Sequence, residues 1–135
     1  MAILWTCFAS HVQSAVVVIV HAENPTEHFT AGELSSIYLG KKSFWANSER
    51  ISVKSHMEKS VNQDFLRLYV RKTPAQFKAY WRKMVFTGKG AMPRFLESSE
   101  MLEQISQNKN AIGFIDESLV EGIAGKGVKV VLVEG

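Results

Sequence analysis

The sequence predicts an α/β layer fold in which most strands are buried, and three observations predict it. Val16 to Val20 is an unbroken β-branched run, apolar on both faces, as a central strand covered by helices would be. Beyond it, strand-like and helix-like segments alternate to the end of the chain. The 135 residues are 46% hydrophobic and 21% charged, enough apolar surface for one core without staples and too much for a disordered or collagenous chain. Neither an internal repeat nor a linker divides residues 16–135, which read as one domain.

In chain order, the strand at Val16 starts the fold and Asn24-Pro25 breaks it. Thr30-Ala31-Gly32-Glu33 has the Ser/Thr-x-x-Glu spacing of a capping box, in which the two side chains satisfy orphan N–H groups at a helix start. The helix carries Leu34, Ile37 and Tyr38 on one face and stops at Gly40. Ile51-Ser52-Val53 reads as a short strand. Ser60-Val61-Asn62-Gln63 reads as a second capping box, opening a helix with Phe65, Leu66, Leu68 and Tyr69. A third box, Thr73-Pro74-Ala75-Gln76, places Pro74 in the first turn, where its missing N–H is no loss, and Phe77, Tyr80, Trp81 and Met84 follow at helical spacing. Phe86 to Pro93 is a loop with two glycines. Ser98 or Ser99 is expected to cap a helix through Met101, Leu102 and Ile105, and Asn108-Lys109-Asn110 turns into the strand Ala111–Ile115. A short helical segment near Ser118 to Glu121 and a strand from Val128 to Val133 close the chain.

Charge is unevenly spread. Sixteen Lys and Arg against thirteen Asp and Glu give +3, but residues 1–66 contribute −1, residues 67–94 contribute +8 with no carboxylate, and residues 95–135 contribute −4. At helical spacing Phe77, Tyr80 and Trp81 form the buried stripe and leave Lys78, Arg82 and Lys83 facing solvent, so a solvated basic face is expected and nucleic acid is not an expected partner. The N-terminal Met1 to Ala9 is apolar and short, and small polar residues follow to Ala15, so residues 1–15 read as a signal peptide cleaved after Ser14 or Ala15. No Lys or Arg precedes the apolar run, and a first strand or helix of a cytoplasmic chain is the alternative. Cleavage would remove Cys7 and leave a cysteine-free protein suited to the periplasm. No segment is long and apolar enough to span a bilayer.

Catalytic motifs are missing. His11, His21, His28 and His56 lack a close metal-ligand spacing, and structural or solvated roles suit them better than a zinc site. There is no Gly-x-Ser-x-Gly elbow, P-loop or dinucleotide fingerprint. Asp116 and Glu117 precede a helical turn whose dipole accounts for them. No enzyme, cofactor or metal is expected. Anion binding passes the same screen, because helix N-termini and glycine loops offer free N–H groups to oxyanions. The candidates are Ser60, Thr87, Gly88 and Gly90, with Lys89 and Arg94 adding charge. Ordinary capping accounts for Ser60 more readily than ligand contact does, and a plain turn suits Thr87 to Gly90 equally well.

The order of these pieces resembles the PBP-like domain family, related to the periplasmic phosphate-binding proteins of ABC transporters. Leu34-Ser35-Ser36-Ile37-Tyr38-Leu39-Gly40-Lys41 with Trp45, the junction over residues 53–65, Trp81 with Phe86-Thr87-Gly88-Lys89-Gly90, and Ala111-Ile112-Gly113-Phe114-Ile115 carry the likeness. The resemblance implies a single lobe of a type II periplasmic-binding-protein-like fold with a mixed, mostly parallel sheet. It also implies an exported solute-binding-like protein that contacts phosphate or another small oxyanion weakly through Ser60, Thr87, Gly88, Lys89 and Gly90. Two departures stand against the ligand. Where phosphate binders carry Gly-Ser-Gly-Thr this chain has Glu58-Lys59-Ser60-Val61, which sets a carboxylate beside the anion. The chain also corresponds to only the later half of a full binder. The alternative is a periplasmic module for self-association or for binding an envelope protein, one that kept the lobe and lost the ligand.

Overall fold

A computed structural model describes residues 16–134. Six strands form one sheet: β1 (Val16–His21), β2 (His28–Thr30), β3 (Ser52–His56), β4 (Arg94–Leu96), β5 (Ala111–Asp116) and β6 (Val128–Glu134), in the order β2-β6-β1-β5-β3-β4. β1 pairs antiparallel with both neighbours, Val18 lying opposite Phe114 on β5 and Val131 on β6, and the remaining pairs are parallel. The sheet is therefore mixed and mostly parallel, with β1 running against the other five strands. The helices are α1 (Ala31–Tyr38), α2 (Lys59–Phe65), α3 (Pro74–Phe86) and α4 (Ser98–Ser106), with a 3-10 turn at Glu117–Ile123. The expected signal peptide lies outside the described residues.

Alternation along the strands sorts the core into two layers. Val18, Val20, Ile112, Phe114 and Val131 meet α1, α2 and α3 through Leu34, Ile37, Phe65, Phe77 and Trp81. Ile19, Ala111, Ile115 and Val128 meet α4 and the 3-10 turn through Met101, Ile105 and Ile123. In the first layer Phe65 stacks on Phe114 with centroids 3.7 Å apart, and Tyr38 packs edge-on to Phe65 at 4.7 Å. The buried Tyr38 hydroxyl donates to the Lys54 carbonyl at 2.8 Å, meeting the one polar atom that this ring brings into the core.

Two of the three expected capping boxes form. Thr30 Oγ1 accepts from Glu33 N–H while Glu33 accepts from Thr30 N–H, and Thr73 and Gln76 make the same exchange. Each such cap stabilises its helix by roughly 1 kcal/mol. The third does not form: the N-cap of α2 is Glu58, with no side-chain cap bond, and Ser60 stands exposed in the first turn. Likewise α4 is preceded by Glu97 without a side-chain cap bond, rather than being capped by Ser98 or Ser99. After α2 the chain makes a π-helical turn, Leu66–Val70, closed by Arg71 N–H to the Leu66 carbonyl, and Leu68 faces solvent instead of joining the core.

α3 is held across the end of α1. Trp81 Nε1–H donates to the Tyr38 carbonyl at 3.0 Å and the Tyr80 hydroxyl to the Leu39 carbonyl at 2.7 Å. Gly40, at φ +74, makes this contact possible, since a Cβ there would lie 2.8 Å from the Trp81 ring. Lys78, Arg82 and Lys83 are exposed, as the helical spacing predicts.

Candidate functional site

In open α/β sheets ligands collect at the carboxyl ends of the strands, where helices begin. Here β2 leads into α1, β3 into α2, β4 into α4 and β5 into the 3-10 turn, so four helical N-termini share the carboxyl edge. The sequence places a carboxylate at each of them. Glu33 lies in the first turn of α1, Glu58 and Glu97 are the N-caps of α2 and α4, and Asp116 caps the 3-10 turn by accepting from Ser118 N–H at 3.0 Å. These carboxylates already answer the positive ends of the helix dipoles. Lys59 is the cation beside Glu58.

His56, at the end of β3, ties two of the junctions together. It is 2% exposed. Its Nδ1 accepts from Glu58 N–H at 3.0 Å, which leaves the ring proton on Nε2, and Nε2–H donates to Ser98 Oγ at 2.8 Å. Burial pushes the His56 pKa down, while Glu58, Asp116 and Glu97 pull the other way. A neutral, doubly engaged imidazole of this tautomer cannot take a proton from Ser98, so the pair is a structural strut and not a nucleophile with its base. On either side of His56 in sequence, Ser55 Oγ and Asn62 Oδ1 are buried with no hydrogen-bond partner among the described residues. Each such atom costs about 1–3 kcal/mol in lost solvation. Spacing rules missed Ser55 and Asn62 because their burial at the junction of β3 and α2 arises from the sheet order, and they offered Ser98 only as a helix cap, not as the partner of His56.

The expected site residues divide between the two edges of the sheet. Ser60 follows the carboxyl end of β3, whereas Thr87 to Gly90 precede the amino end of β4, and β3 and β4 are parallel. Thr87, Gly88 and Lys89 also terminate α3. Gly88, at φ +76, donates its N–H to the Val85 carbonyl and Lys89 N–H donates to the Met84 carbonyl, the paired bonds of a Schellman motif. Thr87 N–H goes to the Lys83 carbonyl, and the Thr87 hydroxyl reaches the Lys83 and Met84 carbonyls at 3.1 and 3.0 Å. These donors close a helix C-terminus, the negative end of the dipole. Of the N–H groups of Thr87 to Gly90, only that of Gly90 is unused among the described residues. Arg94, at the start of β4, lies 4.0 Å from Glu100.

The likeness to known structures is one of fold. A Clostridium perfringens protein described as a phosphate ABC transporter substrate-binding protein, solved with bound phosphate, superposes with a TM-score of 0.67 at 22% identity, over 89% of this chain and 45% of that one. An ABC-type phosphate transport receptor from Vibrio cholerae gives 0.63 at 21% identity, over 89% and 46%. PstS from Borrelia burgdorferi gives 0.66 at 17% identity, over 89% and 47%. The chain thus has the fold of one lobe of a periplasmic-binding-protein-like molecule and spans about half the length of these neighbours, which are substrate-binding proteins and not enzymes. No protein-family model and no curated protein matches the sequence. No helix among the described residues is long and apolar enough to cross a membrane.

Proposed function

We propose that this chain is an exported, non-enzymatic solute-binding-like protein related to the substrate-binding proteins of phosphate ABC transporters, and that it contacts phosphate or a related small oxyanion with low affinity. The observation that carries the reading is the superposition of 89% of the chain on a protein solved with phosphate bound. The carboxyl edge, where Ser60 sits in the first turn of α2, is the face on which the ligand is sought. Glu58, Glu97 and Asp116 on that edge argue for weak rather than tight binding, because a carboxylate opposes an approaching anion. Thr87, Gly88 and Lys89 enter this reading as a secondary contact, through the Lys89 charge and the Gly90 N–H. Isothermal titration of the protein with phosphate and with sulfate tests it. Heat at millimolar phosphate that falls on Ser60→Ala is the expected result, and no heat with either anion removes the ligand from the proposal while leaving the fold intact.

The same carboxylates favour a second reading, in which the lobe is a periplasmic module for self-association or for binding an envelope protein. Light scattering and pull-down from a periplasmic extract address it. A monomer without captured partners counts against it.

A further inference from the structure

The end of α3 carries the most exposed large apolar side chain among the described residues. Phe86 is 90% exposed and its neighbour Val85 47% exposed, and with Met92, Ala79 and the aliphatic stems of Arg82 and Lys83 they line a shallow groove of about 640 Å³. Phe44, by comparison, has Arg50 over its ring, and the other exposed apolar residues are scattered along the chain. An apolar pair standing proud of the surface marks a contact, since folding alone gains nothing by leaving it in water.

Charge decides what the contact is with. The patch lies in the stretch from residue 67 to 94, which has eight cations and no carboxylate. The ion pairs among the described residues engage Arg67 and Arg94 at the ends of that stretch, and none engages Arg82, Lys83 or Lys89. A second copy of the chain set patch to patch would bring two such faces into repulsion. Residues 1–15 carry no carboxylate side chain to answer it. Phe86 projects, so a protein partner would need a matching pocket with acids around it. An anionic bilayer accepts an aromatic ring at its interface without a shaped pocket, and its headgroups meet the surrounding cations.

We propose that Val85 and Phe86, with Arg82, Lys83 and Lys89 around them, form a peripheral docking surface for an anionic lipid bilayer. It shares Lys89 with the secondary contact of the solute-binding reading and otherwise does not depend on that reading. The test is co-sedimentation of the full chain with vesicles of phosphatidylglycerol and phosphatidylcholine in equal parts, against vesicles of phosphatidylcholine alone. Binding is expected to the anionic vesicles only and is lost in half-molar salt. Phe86→Ser should weaken partitioning about tenfold or more. Lys83→Glu with Lys89→Glu should weaken it on the order of a hundredfold. None of these residues is buried, so the variants should keep the wild-type circular dichroism and melting transition. Equal sedimentation with both kinds of vesicle, no sedimentation at all, or binding untouched by either variant overturns the proposal. So does a dimer of the wild-type chain that Phe86→Ser dissociates and that leaves the vesicles unbound, which would assign the patch to a second copy.

Discussion

The carboxyl edge of the sheet and the edge where α3 meets β4 differ in what they offer an anion. At the carboxyl edge four helices begin along the sheet, but Glu33, Glu58, Glu97 and Asp116 stand at those ends. At the opposite edge Lys83 and Lys89 are unpaired among the described residues, yet the backbone there is a helix C-terminus whose local donors Thr87, Gly88 and Lys89 have spent on its own carbonyls. Binding a small oxyanion tightly takes donors and positive charge at one point. Here the helix N-termini and the charges of Lys83 and Lys89 stand at opposite ends of β3 and β4, and Lys59, the cation at the carboxyl edge, sits beside Glu58.

Variants at the two edges can break that contrast. The largest effect belongs to Trp81, which clamps α3 to the end of α1: Trp81→Ala should lower stability by about 3–5 kcal/mol in urea unfolding. A loss below about 1 kcal/mol would mean that α3 is not anchored as described. At the carboxyl edge the corresponding strut is His56, and its signature is pH dependence. The folded state holds the imidazole neutral with its pKa pushed below the ordinary histidine value, so the unfolded chain binds the extra proton first. Stability from this group is therefore complete above the ordinary histidine pKa. It falls as the pH drops through that value and levels off below the depressed one. His56→Gln should flatten this part of a stability profile between neutral and mildly acidic pH, and an unchanged slope would remove His56 as its source. Gly88→Ala should destabilise by about 1 kcal/mol, since Gly88 holds a left-handed conformation with nothing within 4 Å of the added methyl group. Smallest of all, Ser60→Ala should change stability by less than about 0.5 kcal/mol, because Ser60 caps nothing. A loss near 1 kcal/mol would restore the capping box that the structure lacks.

Ser60 also shows where reading the sequence stops. Its Ser-x-x-Gln spacing is as good as that of Thr73, and both spacings are local. Around Thr73 nothing competes with the local bonds, and the box forms. Before Ser60 the chain is still bound to the sheet: β3 continues to His56, whose ring takes Glu58 N–H, so the helix starts two residues early. The same reason hides β2 and β4, three residues each, which exist as strands only through β6 and β3. Val16 to Val20, the Thr30 cap, Gly40 and the Phe77 to Met84 stripe were legible because a period or a local bond fixes each of them. The sheet order, the π-helical turn and the His56–Ser98 strut rest on residues distant in sequence or on backbone geometry that no residue type announces. For the site, Ser60 and the glycine loop were visible as isolated chemistry, but their placement on opposite edges follows from β3 and β4 being parallel.

The reversed strand β1 has a consequence for how the molecule is made. It is the first strand among the described residues, and both of its partners, β5 and β6, come from residues 111–134. Until synthesis reaches them, Val16 to Val20 has no ladder to join, and the apolar faces that flank it in both core layers remain open. Contacts of such long sequence separation slow folding, because the intervening chain must be ordered before they repay the loss of freedom. The centre of the sheet thus cannot pair until residues 111–134 are present.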